Sequence, residues 1–213
     1  ENVYFQASKK SPMHREVYVV DSKGKITELS HNEGTNSANF SSGCKYFINN
    51  YSNANTPSII TLCDNKGKLI RELENNEYLN NQIGSTYKFA KKEFFSFKNE
   101  EGVELNGWMI KPQNFDATKK YPVFMYVYGG PGSQTVADSW DYSMPWYQIF
   151  AQHGYIVVSV DNRGTGYRGR DFRQTTYGQL GKYEVQDQIS AAKYLGTLGY
   201  VDKDRIGIFG WSY

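Results

Sequence analysis

Short apolar runs alternate with helical patterns between residues 122 and 209, and this alternation constrains the fold more than any other feature of the sequence. It predicts three strands, at 122–128, 155–161 and 206–209, and two helices, at 145–153 and 183–198. Strands that are apolar throughout are typical of a parallel sheet with both faces covered by helices. The sequence therefore predicts an α/β fold with a mostly parallel sheet for this part of the chain.

The helix predicted at 183–198 has a single apolar face. Its apolar side chains recur at steps of three or four residues, at Val185, Ile189, Ala192, Leu195 and Leu198. This spacing is that of an amphipathic helix that packs one stripe against a core. We expect all five side chains to be buried.

The first 74 residues follow a different pattern, in which short strands and turn residues predict an all-β region. Seven strands are expected, at 3–7, 16–21, 25–29, 38–40, 45–50, 58–64 and 68–73. Two near-duplicate turns, at 21–24 and 64–67, each begin with aspartate and end with glycine. Such repetition of small antiparallel units favours blades of a β-propeller, with a small β-sandwich as the alternative.

A domain boundary is predicted near residue 85. Residues 75–85 have the apolar spacing of a helical turn, and strands at 89–98 and 103–111 then predict a hairpin. The predicted domains are therefore residues 1–85, which are all-β, and residues 86–213, which are α/β.

Composition argues against several classes of function. The 213 residues carry a net charge of only +2, and the basic residues are scattered, which does not suggest a surface for nucleic acid or an anionic membrane. No apolar run in this stretch approaches the roughly 18 residues of a transmembrane helix. Cys44 and Cys63 are too few for a structural zinc site and predict packing thiols, with one disulfide as the alternative. We expect no metal and no cofactor.

The sequence Gly210-Trp211-Ser212-Tyr213 directly follows the predicted strand at 206–209. It is the first part of the pattern Gly-x-Ser-x-Gly, a strained strand-to-helix turn that exposes a nucleophilic serine. The last glycine of the pattern would be residue 214. The alternative is a chance tetrapeptide, because motifs of this length have a real false-positive rate.

A second glycine-rich segment, Tyr128-Gly129-Gly130-Pro131-Gly132, follows the predicted strand at 122–128. In hydrolases with a serine elbow, the loop after an early strand provides part of the oxyanion hole, and glycines let the backbone approach the substrate. A plain glycine-rich turn is the alternative. The two segments together, in this order, favour the catalytic interpretation.

A third segment, residues 161–169, begins where the second buried strand ends. Its glycines do not have the spacing of a dinucleotide-binding loop, and no acidic ribose partner is evident. We expect a structural loop that braces the rim of the site, with Arg163 and Asp161 as a pair that holds it.

Taken together, four stretches resemble the dipeptidyl peptidase IV branch of the prolyl oligopeptidase family. They are residues 121–134, 161–169, 184–188 and 210–213, so the likeness covers most of 85–213. Tryptophan before the serine and tyrosine after it distinguish this branch. Residues 1–85 resemble, more weakly, the last part of the family's β-propeller. The resemblance implies the C-terminal part of a propeller followed by the N-terminal half of an α/β-hydrolase domain, truncated at the nucleophile elbow.

The resemblance also implies roles for individual residues. Ser212 matches the nucleophile, and Tyr128 matches the tyrosine whose hydroxyl donates to the oxyanion. The backbone N–H of Tyr213 matches the second oxyanion donor, and Trp211 and Tyr213 match residues that flank a proline-accepting pocket. Both kinds of donor can be directed at the charge that develops on a substrate carbonyl oxygen.

The catalytic histidine expected of such an enzyme is not evident. In hydrolases of this type the order along the chain is serine, aspartate, histidine, yet His14, His31 and His153 all precede Ser212. His153 falls at a predicted helix end, where a capping or solvent-facing role is ordinary. We therefore expect the triad aspartate and histidine, and the acidic residues that bind a substrate's amino terminus, to lie outside this sequence.

The function implied is a serine exopeptidase that releases N-terminal dipeptides, after proline, through an acyl-enzyme. Residues 1–213 alone are expected to be inactive. A related tripeptidyl or acylaminoacyl peptidase, an esterase on the same fold, and a non-enzymatic protease-like interaction protein are the alternatives. The implied partners are peptides with a free amino terminus and a second copy of the chain. The resemblance suggests a periplasmic, extracellular or membrane-tethered location.

Overall fold

The computed structural model describes residues 2–213, which divide into two compact units. The first unit runs to Lys88 and includes the short segment Ala137–Asp141. The second unit consists of Phe89–Val136 and Tyr142–Tyr213. The sequence did not predict that Ala137–Asp141 belongs to the first unit. Within residues 2–213, no helix has the length and apolar character required to cross a membrane.

The first unit is built from two antiparallel sheets in which each strand pairs with the next one along the chain. The first sheet has three strands, β1 (Val3–Ala7), β2 (Glu16–Val20) and β3 (Ile26–Glu28). The second has four strands, β4 (Thr35–Phe40), β5 (Tyr46–Asn53), β6 (Thr56–Asp64) and β7 (Leu69–Glu74), followed by helix α1 (Glu77–Ser85). A four-stranded meander of this kind is the unit of a β-propeller blade, so the unit matches a propeller fragment.

The two predicted turns form in the same way. Asp21 Oδ1 accepts hydrogen bonds from the backbone N–H groups of Lys23 and Lys25, each at 2.9 Å. Asp64 Oδ1 accepts the equivalent bonds from Lys66 and Lys68, also at 2.9 Å. An aspartate that bonds to the backbone two and four residues ahead closes a tight turn, which explains the duplicated sequence.

A small core stabilises the first unit, with Val17, Leu29, Phe47 and Cys63 buried. Cys44 and Cys63 are both free thiols, as the packing interpretation predicts. Burial raises the pKa of the Cys63 thiol, the effect expected when a group that ionises to an anion is removed from water.

The second unit contains one mixed five-stranded sheet. Its strands are β8 (Lys92–Lys98), β9 (Glu104–Ile110), β10 (Tyr121–Val127), β11 (Ile156–Asp161) and β12 (Val201–Gly210), in the spatial order β12-β10-β11-β9-β8. Strand β10 runs parallel to β11 and β12, whereas β9 is antiparallel to both β11 and β8.

The prediction of a mostly parallel sheet is therefore only partly correct, because two of the four strand pairs are antiparallel. The antiparallel half is the predicted hairpin, which adds to the sheet through β9. A short turn can join only antiparallel neighbours, whereas parallel neighbours need a helical crossover. The sequence predicted this hairpin without showing that it shares a sheet with the buried strands.

Helices α2 (Met144–Gln152), α3 (Arg170–Gln174) and α4 (Lys182–Gly196) connect the parallel strands. Helix α3 was not predicted, because five residues carry too little periodicity for recognition. The buried face expected of α4 was only partly correct. Leu195 is fully buried and Ala192 and Leu198 pack against the core, but Val185 and Ile189 are 55% and 51% exposed. Polar residues take their place on the buried face: Glu184, Asp187, Gln188 and Ser190.

The core of the second unit surrounds β11, in which every residue is buried. Leu105 on β9, Met125 on β10 and Leu195 on α4 pack in the same cluster. Because β10, β11 and β12 are parallel, their carboxyl ends lie along one edge of the sheet. The three segments singled out in the sequence all leave the sheet at this edge, where ligands bind in open α/β sheets.

Candidate active site

Ser212 lies two residues beyond the end of β12 and has a backbone φ of 79°. A non-glycine residue in this left-handed region is uncommon. The conformation costs on the order of 1–3 kcal/mol, and it persists only where the surrounding structure holds it. Gly210 makes the turn feasible, because a Cβ there would lie 2.8 Å from the carbonyl oxygen of Val127. The end of β12 thus passes too close to β10 for any side chain, and the next residues turn sharply.

The glycine-rich residues 128–132, called the Tyr128 segment below, follow β10 and lie beside this turn. Gly129 has a φ of 70°, and a Cβ there would lie 2.6 Å from Asn162 Oδ1. The rings of Tyr128 and Tyr213 have centroids 6.3 Å apart, at an interplanar angle of 40°. The structure therefore brings together two of the residues that the sequence singled out from segments 85 positions apart.

The loop after β11 braces the Tyr128 segment through the backbone. The N–H of Gly132 donates to the carbonyl of Gly164 at 2.8 Å, and the N–H of Gly166 donates to that of Ser133 at 2.7 Å. Asn162 Nδ2 also donates to the carbonyl of Gly129 at 3.0 Å. These bonds agree with the structural role predicted for residues 161–169.

The predicted pairing of Arg163 with Asp161 was wrong, since each has other partners. Asp161 accepts hydrogen bonds from the backbone N–H and hydroxyl of Thr135, at 2.9 and 2.8 Å, and from the N–H of Val136 at 3.0 Å. Burial raises the pKa of Asp161, while these donors act to lower it. Asp161 therefore anchors Thr135 and Val136, which lie just after the Tyr128 segment.

Arg163 instead pairs with Asp187 on α4. Its Nε and one terminal nitrogen lie 2.9–3.1 Å from the carboxylate oxygens, and its backbone N–H donates to Asp187 Oδ2 at 2.7 Å. Glu101 accepts from the other terminal nitrogen at 2.6 Å. Burial acts to lower the pKa of Arg163, but Asp187 and Glu101 raise it above its ordinary value. Asn99 completes the cluster by donating to Asp187 Oδ1 at 2.8 Å.

The Asp187→Asn substitution should destabilise this region strongly. Asp187 is fully buried, and neutralising it leaves the Arg163 guanidinium without its main counter-charge. Removal of one partner from a buried ion pair typically costs about 3–5 kcal/mol. Native-state hydrogen exchange should show a loss of this size in the opening free energy of α4. Glu100→Gln, which breaks the exposed pair with Lys193, is the control and should have little effect. Equal effects of the two substitutions would contradict the account.

Tyr213 is held by a hydrogen bond from its hydroxyl to Glu184 Oε1, at 2.8 Å. Desolvation and this bond to a carboxylate raise the pKa of Tyr213 to about 12. The hydroxyl is therefore held more firmly in its protonated, hydrogen-bond-donating form than that of a free tyrosine. Glu184 is 6% exposed.

An open cavity of about 650 Å³ lies between these groups. Tyr128, Gly129, Asn162, Glu184, Gln188 and Tyr213 form its polar part, and Val185, Ile189, Ile206 and Ile208 are among its apolar lining. Trp211, which is 77% exposed, does not line it. Of the two residues predicted to flank a proline pocket, only Tyr213 contributes to this cavity.

Two of the three histidines, His14 and His153, have contacts of their own. His14 lies 3.4 Å from Asp138 and 3.9 Å from Glu33, all in the first unit. His153 is the C-cap residue of α2, and its Nδ1 lies 2.7 Å from the carbonyl oxygen of Ile149, which fits the capping role predicted. Within residues 2–213, no group of three or more histidine, cysteine, aspartate or glutamate side chains could hold a metal ion.

The sequence assigned no individual role to three residues of this site: Asn162, Glu184 and Gln188. Each is buried, and each contacts a segment far away in the sequence. A signal was present on α4, because Glu184, Asp187 and Gln188 have the spacing of one helical face. The prediction followed the apolar residues instead, of which Val185 and Ile189 are exposed.

Two family models match the chain. Residues 140–213 match the prolyl oligopeptidase family, and residues 1–58 match the dipeptidyl peptidase IV (DPP IV) N-terminal region. The crystal structure of Porphyromonas gingivalis dipeptidyl peptidase 4 is similar over 100% of this chain and 30% of its own, with a TM-score of 0.94 and 45% identity.

Curated relatives give the same result. Proteins named "Probable dipeptidyl-aminopeptidase B" from Sclerotinia sclerotiorum and Trichophyton verrucosum are 39% and 40% identical to the chain over 99% of its length. The chain spans 23% and 24% of these two relatives, about a quarter of their length. Both ends of the sequence thus match the same group of proteins, and the fold of the whole chain matches a solved member of that group. The chain belongs to the prolyl oligopeptidase family, in its dipeptidyl peptidase IV-like branch.

Proposed function

We propose that this chain is part of a longer serine exopeptidase that releases N-terminal dipeptides through an acyl-enzyme at Ser212. The observation that carries the proposal is the positive φ of Ser212, just after β12, the parallel strand at the edge of the sheet, and beside the Tyr128 segment. A strained serine in this place is the defining feature of a nucleophile elbow. The names of the similar proteins support dipeptide release.

In this proposal residues 1–85 are the C-terminal part of a β-propeller. Residues 86–213 are the N-terminal half of an α/β-hydrolase domain. The longer protein provides the remaining strands, the triad aspartate and histidine, and the groups that bind the substrate's amino terminus. This division agrees with the fraction of the relatives that the chain spans.

The chemistry follows from the elements at the sheet edge. Ser212 Oγ attacks the scissile carbonyl carbon and gives its proton to a histidine that lies outside this chain. The carbonyl oxygen becomes an anion, which the Tyr128 hydroxyl and the Tyr213 backbone N–H stabilise by hydrogen bonds. Collapse of this intermediate expels the new amino terminus, which takes the proton, and leaves the dipeptide esterified to Ser212. Water then hydrolyses the ester by the same steps.

A preference for proline fits the aromatic ring of Tyr213, which lines the cavity, because a rigid apolar ring packs well against an aromatic face. The test is a panel of chromogenic substrates given to the full-length protein. We expect X-Pro dipeptidyl substrates to be cleaved with the highest kcat/KM. Preference for tripeptidyl or acylaminoacyl substrates would assign the protein to those related activities, and no cleavage of any substrate would favour a non-enzymatic interaction protein.

Residues 1–213 expressed alone should neither cleave peptide substrates nor react with a fluorophosphonate at Ser212. A serine hydroxyl is a weak nucleophile without an adjacent base, and none of the three histidines follows Ser212 in the sequence, where the base of such a triad is expected. Intact-mass spectrometry would detect an added phosphonyl group, with the full-length protein as the positive control. Stoichiometric labelling of the monomeric 1–213 polypeptide would show that Ser212 is activated without a downstream histidine, and would contradict this expectation.

A further inference from the structure

The first two turns of α4 place polar side chains where an amphipathic helix would bury apolar ones. Glu184 is 6% exposed and Gln188 is 8% exposed, one helical turn apart on the same face. Among residues 2–213, neither Glu184 Oε2 nor Gln188 Oε1 has a hydrogen-bond donor. A buried acceptor without a donor is costly, so these two residues are poor choices for stability alone.

Gln188 is connected to the Tyr128 segment through one intermediate residue. Its Nε2 donates to the carbonyl of Val160 at 2.9 Å and to Asn162 Oδ1 at 3.1 Å. Asn162, which is fully buried, uses its Nδ2 to donate to the carbonyls of Gly129 and Arg163, at 3.0 and 2.8 Å. The amide of Gln188 therefore fixes the orientation of the Asn162 amide, and Asn162 holds the backbone directly after Tyr128.

Glu184 is connected to the elbow directly. Its Oε1 accepts a hydrogen bond from the Tyr213 hydroxyl at 2.8 Å. In the proposed reaction, the backbone N–H of Tyr213 is the second oxyanion donor. The Tyr213 ring is half exposed, so packing alone leaves it freedom to rotate. The bond to a buried carboxylate on a rigid helix removes that freedom.

We propose that Glu184 and Gln188 are positioning residues that hold the two oxyanion donors at a fixed separation. Gln188 fixes the position of Tyr128 through Asn162 and Gly129, and Glu184 fixes the position of Tyr213. One helix thereby holds two segments that follow different strands, β10 and β12. The inference rests on the proposed function, because it assigns a task to residues behind the same oxyanion site.

A positioning role would explain why polar side chains, rather than Val185 and Ile189, are buried in the first two turns of α4. An apolar side chain at 184 or 188 would avoid the cost of unpartnered acceptors, and replacement of buried polar groups by apolar ones is often neutral or stabilising. It would also release both segments. A displacement of about 1 Å in a reacting group can cost on the order of 100-fold in rate, so loss of positioning should appear in kcat.

The test uses the full-length protein and an X-Pro chromogenic substrate. Glu184→Leu and Gln188→Leu should each lower kcat about 10- to 100-fold with little change in KM, because positioning of an oxyanion donor matters only in the transition state. Glu184→Gln keeps an acceptor for the Tyr213 hydroxyl and should restore most of the activity. Lys193→Gln, on an exposed part of the same helix, is the matched control and should retain full activity.

Double-mutant cycles separate positioning from general damage to the fold. Glu184→Leu should cause no further loss in a Tyr213→Phe background, and Gln188→Leu none in an Asn162→Ala background, because each pair acts through one contact. Tyr213→Phe and Asn162→Ala break the same contacts without altering α4. Their effects on kcat can therefore be measured even if the leucine variants do not fold. These single variants should show the same fall in kcat.

Additive losses in the cycles, or changes confined to KM, would overturn the positioning role. A wild-type protein that cleaves the substrate while all four contact-breaking single variants keep wild-type kcat would also overturn it, and would leave the proposed function intact. Failure of the wild-type protein to cleave or to react with a fluorophosphonate would refute the proposed function, and the positioning role with it.

Discussion

Replacement of Ser212 by alanine should lower the kcat of the full-length protein on the order of 10⁶-fold. In the proposed reaction Ser212 Oγ forms the covalent bond to the acyl group, and alanine offers no atom that can do so. Loss of the nucleophile in other serine peptidases has an effect of this size, and the remaining catalysis comes from substrate binding and the oxyanion donors. Substrate affinity should change little, because the hydroxyl contributes mainly to the chemical step.

The measurement is steady-state cleavage of an X-Pro chromogenic substrate, with a competitive inhibitor to confirm that binding is intact. Ser22→Ala, at an exposed serine in the first of the two aspartate turns, is the matched control and should be fully active. If Ser212→Ala retained more than a small fraction of wild-type kcat, the nucleophile would have to be another residue.

Tyr128→Phe should lower kcat on the order of 10²–10³-fold with little change in KM. The substitution removes one hydroxyl that donates to the anionic oxygen, and the loss of a single oxyanion donor has effects of this size. The ring that packs near Tyr213 is retained. The charge on the oxygen exists only after attack, so the ground-state complex should be unaffected.

Tyr142→Phe is the control, because Tyr142 is 90% exposed and should tolerate loss of its hydroxyl. Pre-steady-state kinetics should show that Tyr128→Phe slows formation of the acyl-enzyme. An effect confined to KM would assign the Tyr128 hydroxyl to substrate binding.

Local sequence signals predicted the first unit well. Asp21 and Asp64 bond to the backbone of their own turns, so their sequences contain everything that the turns need. All seven strands of this unit form close to the predicted positions, because each pairs only with neighbours along the chain. Structure of this kind depends on short-range chemistry, which a single sequence carries.

Long-range contacts account for what the sequence did not predict. Asp187 is buried because Arg163, from the loop after β11, pairs with it. Glu184 and Gln188 are buried because Tyr213 and Asn162 reach them from other segments. Periodicity on α4 cannot reveal partners that lie elsewhere in the chain. It therefore predicts that Val185 and Ile189 are buried, whereas both are exposed. The mixed sheet was missed for the same reason, since the pairing of β9 with β11 is non-local.

The sequence proposed the reacting residues of the candidate site and the bracing loop 161–169, but assigned no individual role to Glu184 or Gln188. Gly-rich and serine motifs pointed to Tyr128, Ser212 and Tyr213, because chemistry requires these residue types next to strand ends. The structure places Tyr128 and Tyr213 side by side. Glu184 and Gln188 lie in the stretch 184–188 that carries the family resemblance, but a glutamate or a glutamine on a helix is ordinarily a solvated side chain, so their contacts were not predicted.

The role of Ser212 as nucleophile is tested by labelling the folded full-length protein with a fluorophosphonate and locating the adduct by peptide mass spectrometry. We expect one phosphonyl group per chain, on Ser212, whose appearance parallels the loss of X-Pro cleavage. An excess of an X-Pro substrate should slow the labelling. An adduct at any other residue, or an unlabelled Ser212 in protein that still cleaves the substrate, would contradict this role.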